Sequence, residues 1–239
     1  MRLSTVTLAL LTLTALPSAA LADPTTATIV PSLSPDRLGA HAALTLTIHY
    51  SGGELGVPAP VRRSVLRFPA GMSISVPTLH SCSTRRLRTD GAGGCPAQAR
   101  LGGGHALLEG RAGSQIITET IALSAFLGSP HNLQPAFEVL GQGYTPYDQR
   151  TVLTGAVTQS DPPYGEGITM TTPAIHTVPL EPDASIVTLS LTVGRRHART
   201  APAIVVPRSC PAGGFPFAAE FTYADGSHSA TSTTVRCPS

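Results

Sequence analysis

Between Cys210 and Cys237 the sequence reads CPAGGFPFAAEFTYADGSHSATSTTVRC, and this stretch leaves few folds open. Phe217, Ala219, Phe221 and Tyr223 alternate with Ala218, Glu220 and Thr222, the period-2 pattern of a strand with one buried face. The alternation stops at Ala224-Asp225-Gly226-Ser227. Asp-Gly is the strongest short hairpin signal, because a type I′ turn needs positive φ at both central residues and these residue types tolerate it. A returning strand over 229–237 then lies beside the first. With Asp225 and Gly226 as a two-residue loop, Phe221 faces Ala230 and Phe217 faces Thr234, so aromatic rings meet small and β-branched side chains. Cys237 then lies near Gly214, and a curl through Pro211-Ala212-Gly213 brings Cys210 within reach of a disulfide. The stretch predicts an exported, disulfide-stapled β-protein and carries no chemistry of its own.

Residues 1–22 fit a secretory signal peptide: Arg2, an apolar run over 6–16, and the small-residue pattern Ala20-Leu21-Ala22 before Asp23. The apolar run is shorter than the ~20 residues of a spanning helix, and no later stretch is longer. The expected mature chain is a single β-domain over 23–239, with a possible subdivision near 177–184, where TVPLEPD reads as a linker stiffened by Pro179 and Pro182. Charged residues make up 13% of the chain and the net charge is +2, which argues against nucleic acid as a partner. No lysine occurs, so Schiff-base chemistry, Ser-Lys dyads and the phosphate-loop lysine are excluded.

Four cysteines in an exported chain imply two disulfides. Three connectivities are open, and the local pairs Cys82 with Cys95 and Cys210 with Cys237 are favoured. Loop closure then stabilises by roughly 3 kcal/mol for the first and somewhat more for the second. Zinc would need paired Cys-x-x-Cys spacings, and the sequence has none.

Strand patterns recur along the chain. Leu44, Leu46, Ile48 and Tyr50 share one parity, with His49 on the solvated side; Leu66 and Phe68 point inward while Arg63 and Arg67 point out. Residues 26–30 form a short β-prone run ended by Pro31. The segment between Cys82 and Cys95, with Arg85, Arg86 and Arg88, reads as a solvated loop closed by its disulfide. Leu101-Gly102-Gly103-Gly104-His105 lacks a phosphate-loop continuation and reads as a turn or bulge into a strand over 106–109. In the run over 115–126, Glu119 shares a parity with Ile117, Ile121 and Leu123. A buried Glu would have a raised pKa, the usual device of a general acid, but a bulge or strand end that turns Glu119 outward is the expected arrangement. Val187, Leu189, Leu191 and Val193 form one face of a later strand. No segment shows a sustained helical period. Short strands separated by turns rich in Gly and Pro predict an all-β antiparallel sandwich, immunoglobulin-like or jelly-roll-like.

Motifs of catalysis are missing. There is no Gly-x-Ser-x-Gly elbow, no His-Glu-x-x-His and no alternating-Asp calcium loop, so no catalytic residue, metal or cofactor is assigned. Asp161, Glu166, Glu181 and Asp183 are the carboxylates from which a glycosidase-like hydrolase would be built, though the chain has no Trp to form a sugar platform. A recognition patch on sandwich loops would use Tyr144, Tyr147 and Asp148 on one loop and Tyr164 and Glu166 on another.

The stretches ending in Cys-Pro, together with PYGEG, LEPDAS and CPAGGFPFAAEFTYADGS, resemble a group of exported proteins of high-GC soil actinobacteria. That resemblance implies export and a β-rich fold and transfers no activity. The sequence is thus read as a protein of the cell exterior or envelope, a binding or structural module rather than an enzyme. The alternatives are a carboxylate-dependent hydrolase and a carrier of an apolar small molecule. Four carboxylates in one cleft would favour the hydrolase, an enclosed apolar cavity the carrier, and a flat tyrosine patch an adhesive module.

Overall fold

Period-2 alternation over most of the chain produces strands with one apolar face, and those faces must be covered. The computed structural model describes residues 23–75, 80–131, 134–144, 149–176, 181–194 and 203–237; the signal-peptide reading over 1–22 lies outside them. In chain order the described elements are β1 (Asp23–Ser34), β2 (His41–Gly53), β3 (Val61–Pro69), β4 (Ser73–Ser75), α1 (Thr84–Asp90), β5 (Arg100–Ala112), β6 (Gln115–His131), β7 (Gln134–Gly143), β8 (Gln149–Gln159), β9 (Tyr164–Thr171), β10 (Ser185–Val193), β11 (Ala203–Val205), β12 (Phe215–Tyr223) and β13 (His228–Val235). The strands follow one path, β13-β12-β3-β9-β8-β7-β6-β5-β10-β2-β11-β4, with β1 also paired to β2.

The expected all-β, antiparallel, twice-stapled character is present. Its layering differs from the two-sheet sandwich, because one continuous sheet curls until its distant parts meet. The ring of Tyr50 on β2 packs edge-on against Phe221 on β12 at 5.2 Å between centroids, although seven strands lie between them in the sheet path. Phe68 and Phe217 make a second edge-on contact at 6.2 Å. At the rim, β1 packs against β12 and β13. Strands on both sides of residues 177–184 enter this one sheet, since β10 pairs with both β2 and β5.

Local chemistry departs from the sequence pattern in four places. The β12–β13 hairpin pairs Phe221 with Ser229 and Phe217 with Thr233, one residue away from the expected register. Three residues form the loop: Gly226 N–H donates to the Tyr223 carbonyl, Tyr223 N–H donates to the Ser227 carbonyl, and only Gly226 has positive φ. A turn followed by a left-handed glycine accepts Asp-Gly as readily as type I′ does. Asp225 Oδ1 accepts from Ser227 N–H and Oγ–H, which fixes this version. In β10, a register shift between Ile186 and Thr188 brings Ile186 inward beside Leu189 in place of Val187. Strand β1 passes through Pro31, which is tolerated because, among the described residues, β1 ladders only with β2 and so is an edge strand. Finally, Gly102 and Gly104 lie inside β5, where a Cβ would fall 1.9 Å from the carbonyl oxygens of Thr192 and Ser190 on β10. Close approach of two backbones, with a bulge between Arg100 and Gly102, explains that glycine run.

Between Cys82 and Cys95 the expected solvated loop is a short helix lying on the convex face of the sheet. Ser83 caps α1 by accepting from Arg86 N–H, and the Cys82 N–H donates to the Leu127 carbonyl. Leu87 is fully buried in a second, smaller core with Cys82, Ala99, Phe126, Leu140 and Val152. Beside it Glu138 is buried, with Thr84 Oγ1–H donating to its Oε1 at 2.8 Å. Burial pushes the Glu138 carboxyl above the usual range, against the lowering pull of the Thr84 bond and the Arg88 charge. The folded protein therefore keeps this proton at pH values where the unfolded chain has lost it. The associated stability is fully present below the ordinary carboxyl value of ~4.3 and is lost as pH rises through the folded value. Glu138→Gln is accordingly expected to gain on the parent between pH 4 and pH 7 in thermal melts. A parent-to-variant difference that stays constant over that range would show that burial of this carboxyl carries no cost.

Candidate functional site: a hollow inside the curl

Even-numbered residues of β2, the faces of β3, β7, β8 and β9 that carry Leu66, Val139, Leu153 and Ile168, and the inward face of β10 converge on the inside of the curl. Large aromatic side chains, Phe215, Phe217, Phe221 and Tyr223, fill the part under β12. Elsewhere the inward positions hold mostly aliphatic side chains, among them Leu46, Leu66, Ile168, Leu189 and Leu191. A hollow of about 120 Å³ is left, lined by side chains from β2 through β11. Its lining is apolar apart from Ser64, Thr172 and the phenol of Tyr50, and burial holds that phenol in its neutral form.

Leu46, Leu66, Ile168, Leu189 and Leu191 show why this is unfilled space. All five lie within strands on the concave side, where packing should bury them, and all five keep accessible surface. All five also line the hollow. An apolar cavity of similar size, ~150 Å³, stays dry and takes up benzene or xenon, so the lining here is suited to an apolar guest.

A second, smaller hollow of about 20 Å³ shares Leu153, Ile186 and Leu189 with the first as lining residues. Glu119, Gln149 and Thr151 supply its polar wall. The expected outward turn of Glu119 does not occur: pairing with Leu108 is regular, and Glu119 keeps the inward parity of Ile121 and Leu123, half-buried. Room for its side chain comes from Gly143 on β7, where a Cβ would stand 2.4 Å from Glu119 Oε1.

No family model, no curated protein and no solved structure matches this chain. The site is therefore judged on its geometry.

The other carboxylates stand apart. Asp161 lies in the β8–β9 turn and Glu166 near the start of β9, paired with Gln159. Asp183 precedes β10 at the far end, paired with Arg62 and with His176 at 2.7 Å, while Glu181 accepts from Gly113 N–H. The length of β9, eight residues at ~3.3 Å each, separates the two groups. One cleft does not hold all four. Likewise, Tyr144 is exposed just after β7, beside the start of β8, whereas Tyr164 and Glu166 lie beside the end of β8, so the two loops lie at opposite ends of that strand. Tyr147 and Asp148 lie outside the described residues. Both disulfides join the expected pairs, Cys82 with Cys95 at 5.4 Å and Cys210 with Cys237 at 5.9 Å between Cα atoms.

The hollow was not legible from alternation, which fixes the side a residue faces and not the volume enclosed.

Proposed function

We propose that this chain is a non-catalytic binding protein that holds a small apolar molecule inside its curled sheet and works outside the cell. The observation that carries the reading is the 120 Å³ apolar hollow, kept open in the middle of the core. An empty cavity of that size forgoes about 3 kcal/mol at ~24 cal/mol per Å³, and a bound guest offsets that cost by restoring dispersion contacts. Separation of the carboxylates into two distant groups supports binding over hydrolysis. Two disulfides suit an oxidising compartment and support export.

The test is thermal unfolding with and without saturating benzene. Benzene is expected to raise the melting temperature of the parent by several degrees, through ligand linkage to the folded state. Leu189→Phe places a ring in the hollow and is expected to abolish that rise. Identical melting of the parent with and without benzene would refute the reading.

A further inference from the structure

We infer that an open groove on the convex face of the sheet, beside α1, binds a small neutral polyhydroxy molecule, a polyol or a monosaccharide, through threonine and serine hydroxyls and Glu138. The groove measures about 460 Å³, within the ~300–1,000 Å³ of ligand pockets. Its floor comes from β7, β8 and β9, each laddered on both sides. Glu138 pairs with Thr154 and Thr154 with Thr171; in the next row Ala136 pairs with Ala156 and Ala156 with Thr169. These residues alternate with Val139, Leu153 and Ile168 of the hollow, so groove and hollow occupy opposite faces of the sheet. Ser83 and Thr84 form a wall, and the Cys82–Cys95 disulfide and the Cys82 N–H bond to the Leu127 carbonyl hold that segment in place.

An orphan atom points to a missing partner. Glu138 lines the groove and is 6% exposed; its Oε1 accepts from Thr84, while Oε2, closed off from solvent, has no hydrogen-bond partner among the described residues. Folded proteins pair almost all of their buried polar atoms, so this oxygen is one that a guest can complete. Contact with a guest requires the carboxyl to turn about its last bond, a torsion with broad freedom. The lining narrows the class of guest. No Arg, Lys or His lines the groove, so nothing there balances a phosphate or a carboxylate. A cation finds only Glu138, whose charged form burial disfavours. An apolar guest would leave the hydroxyls of Thr84, Thr154, Thr169 and Thr171 without partners. A hydroxyl both donates and accepts, so a polyol matches these residues, and it matches Oε2 whether or not that carboxyl holds its proton. The lining contains no aromatic ring, so hydrogen bonds carry the recognition.

Methyl NMR of the full mature protein, titrated with glycerol, myo-inositol, D-glucose and D-mannose, tests the inference through the signals of Ala136 and Ala156. At least one of the four is expected to shift both signals saturably, and inorganic phosphate is expected to shift neither. Thr154→Val combined with Thr169→Val keeps the β-branched shape, removes both hydroxyls and is expected to weaken that binding at least tenfold. Glu138→Leu is expected to do the same, whereas Glu138→Gln, which still offers hydrogen-bonding atoms, should stay within threefold of the parent. If Glu138→Leu fails to fold, the threonine variant carries the test. Absence of a saturable shift with all four compounds overturns the inference on the parent protein. An equal response to phosphate overturns it as well, and so does binding of parental strength in a folded threonine or Glu138→Leu variant.

Discussion

Replacing Phe221 by alanine is expected to cost about 3–5 kcal/mol, the usual range for removing a buried aromatic ring from a core. Phe221 is 1% exposed, and its ring meets Tyr50 edge-on at an interplanar angle of 80°. An edge-to-face pair contributes ~0.5–1.5 kcal/mol beyond area burial. Its position gives this contact further weight, because it joins β12 to β2 across the inside of the curl. The neighbouring hollow also lowers the chance that the core closes over the missing ring, which places the cost toward the upper end. Against a typical total of ~5–15 kcal/mol, the loss would unfold a substantial share of the molecules in mild denaturant. Val30→Ala is the control, since Val30 is 55% exposed on β1 and such changes fall within about ±0.5 kcal/mol. Urea midpoints measure both. If the two variants unfold at the same concentration, the aromatic contact does not hold the curl closed.

Most strands were legible because alternation reports which side of a sheet a residue faces. The inward set of β2 and the Arg63, Leu66, Arg67, Phe68 arrangement of β3 follow from parity alone. Register was less legible. Asp225-Gly226 suits both a two-residue and a three-residue turn, and the side-chain bonds from Ser227 to Asp225 that select the second depend on the folded geometry. One residue of difference moves the pairing of every position in β13. The same physics hid the bulge in β10, where Val187 continues the alternation in sequence and Ile186 takes the inward place in space. Helix α1 was hidden for another reason. Seven residues hold too few turns for a period to emerge, and the single anchor, Leu87, is surrounded by arginines.

The candidate site divides in the same way. Glu119 was visible as a carboxylate in register with apolar residues, and its inward direction followed from the undisturbed pairing with β5. The hollow depends on how far apart the walls of a curled sheet stand, which strand patterns do not contain. Tyr144 and Tyr164 illustrate the converse. Each sits in a turn-rich loop with neighbouring acidic residues, yet antiparallel strand direction sends the two loops to opposite ends of β8.

Cys210→Ser combined with Cys237→Ser is expected to lower stability by about 3–4 kcal/mol, and to do so unevenly over the structure. The sequence separation of 27 residues gives that figure through the freedom returned to the unfolded chain. Position in the sheet decides where the loss appears. Among the described residues strand β13 ladders only with β12, so the hairpin has one ladder to the body of the sheet, from β12 to β3. At its turn end the hairpin keeps the Tyr223 to Ser229 hydroxyl bond of 2.6 Å and the Asp225 bonds. At the other end, the disulfide links Cys237, two residues beyond β13, to the chain leading into β12. Without it, Val235 and Thr233 should open first, while the β5 to β9 ladders keep their protection. Hydrogen exchange resolves this pattern, with amides of β13 speeding up more than those of β6 to β8, alongside a lower urea midpoint. Unchanged exchange in β13 together with an unchanged midpoint would show that burial of Phe215, Phe217 and Phe221 holds the hairpin in place without its staple.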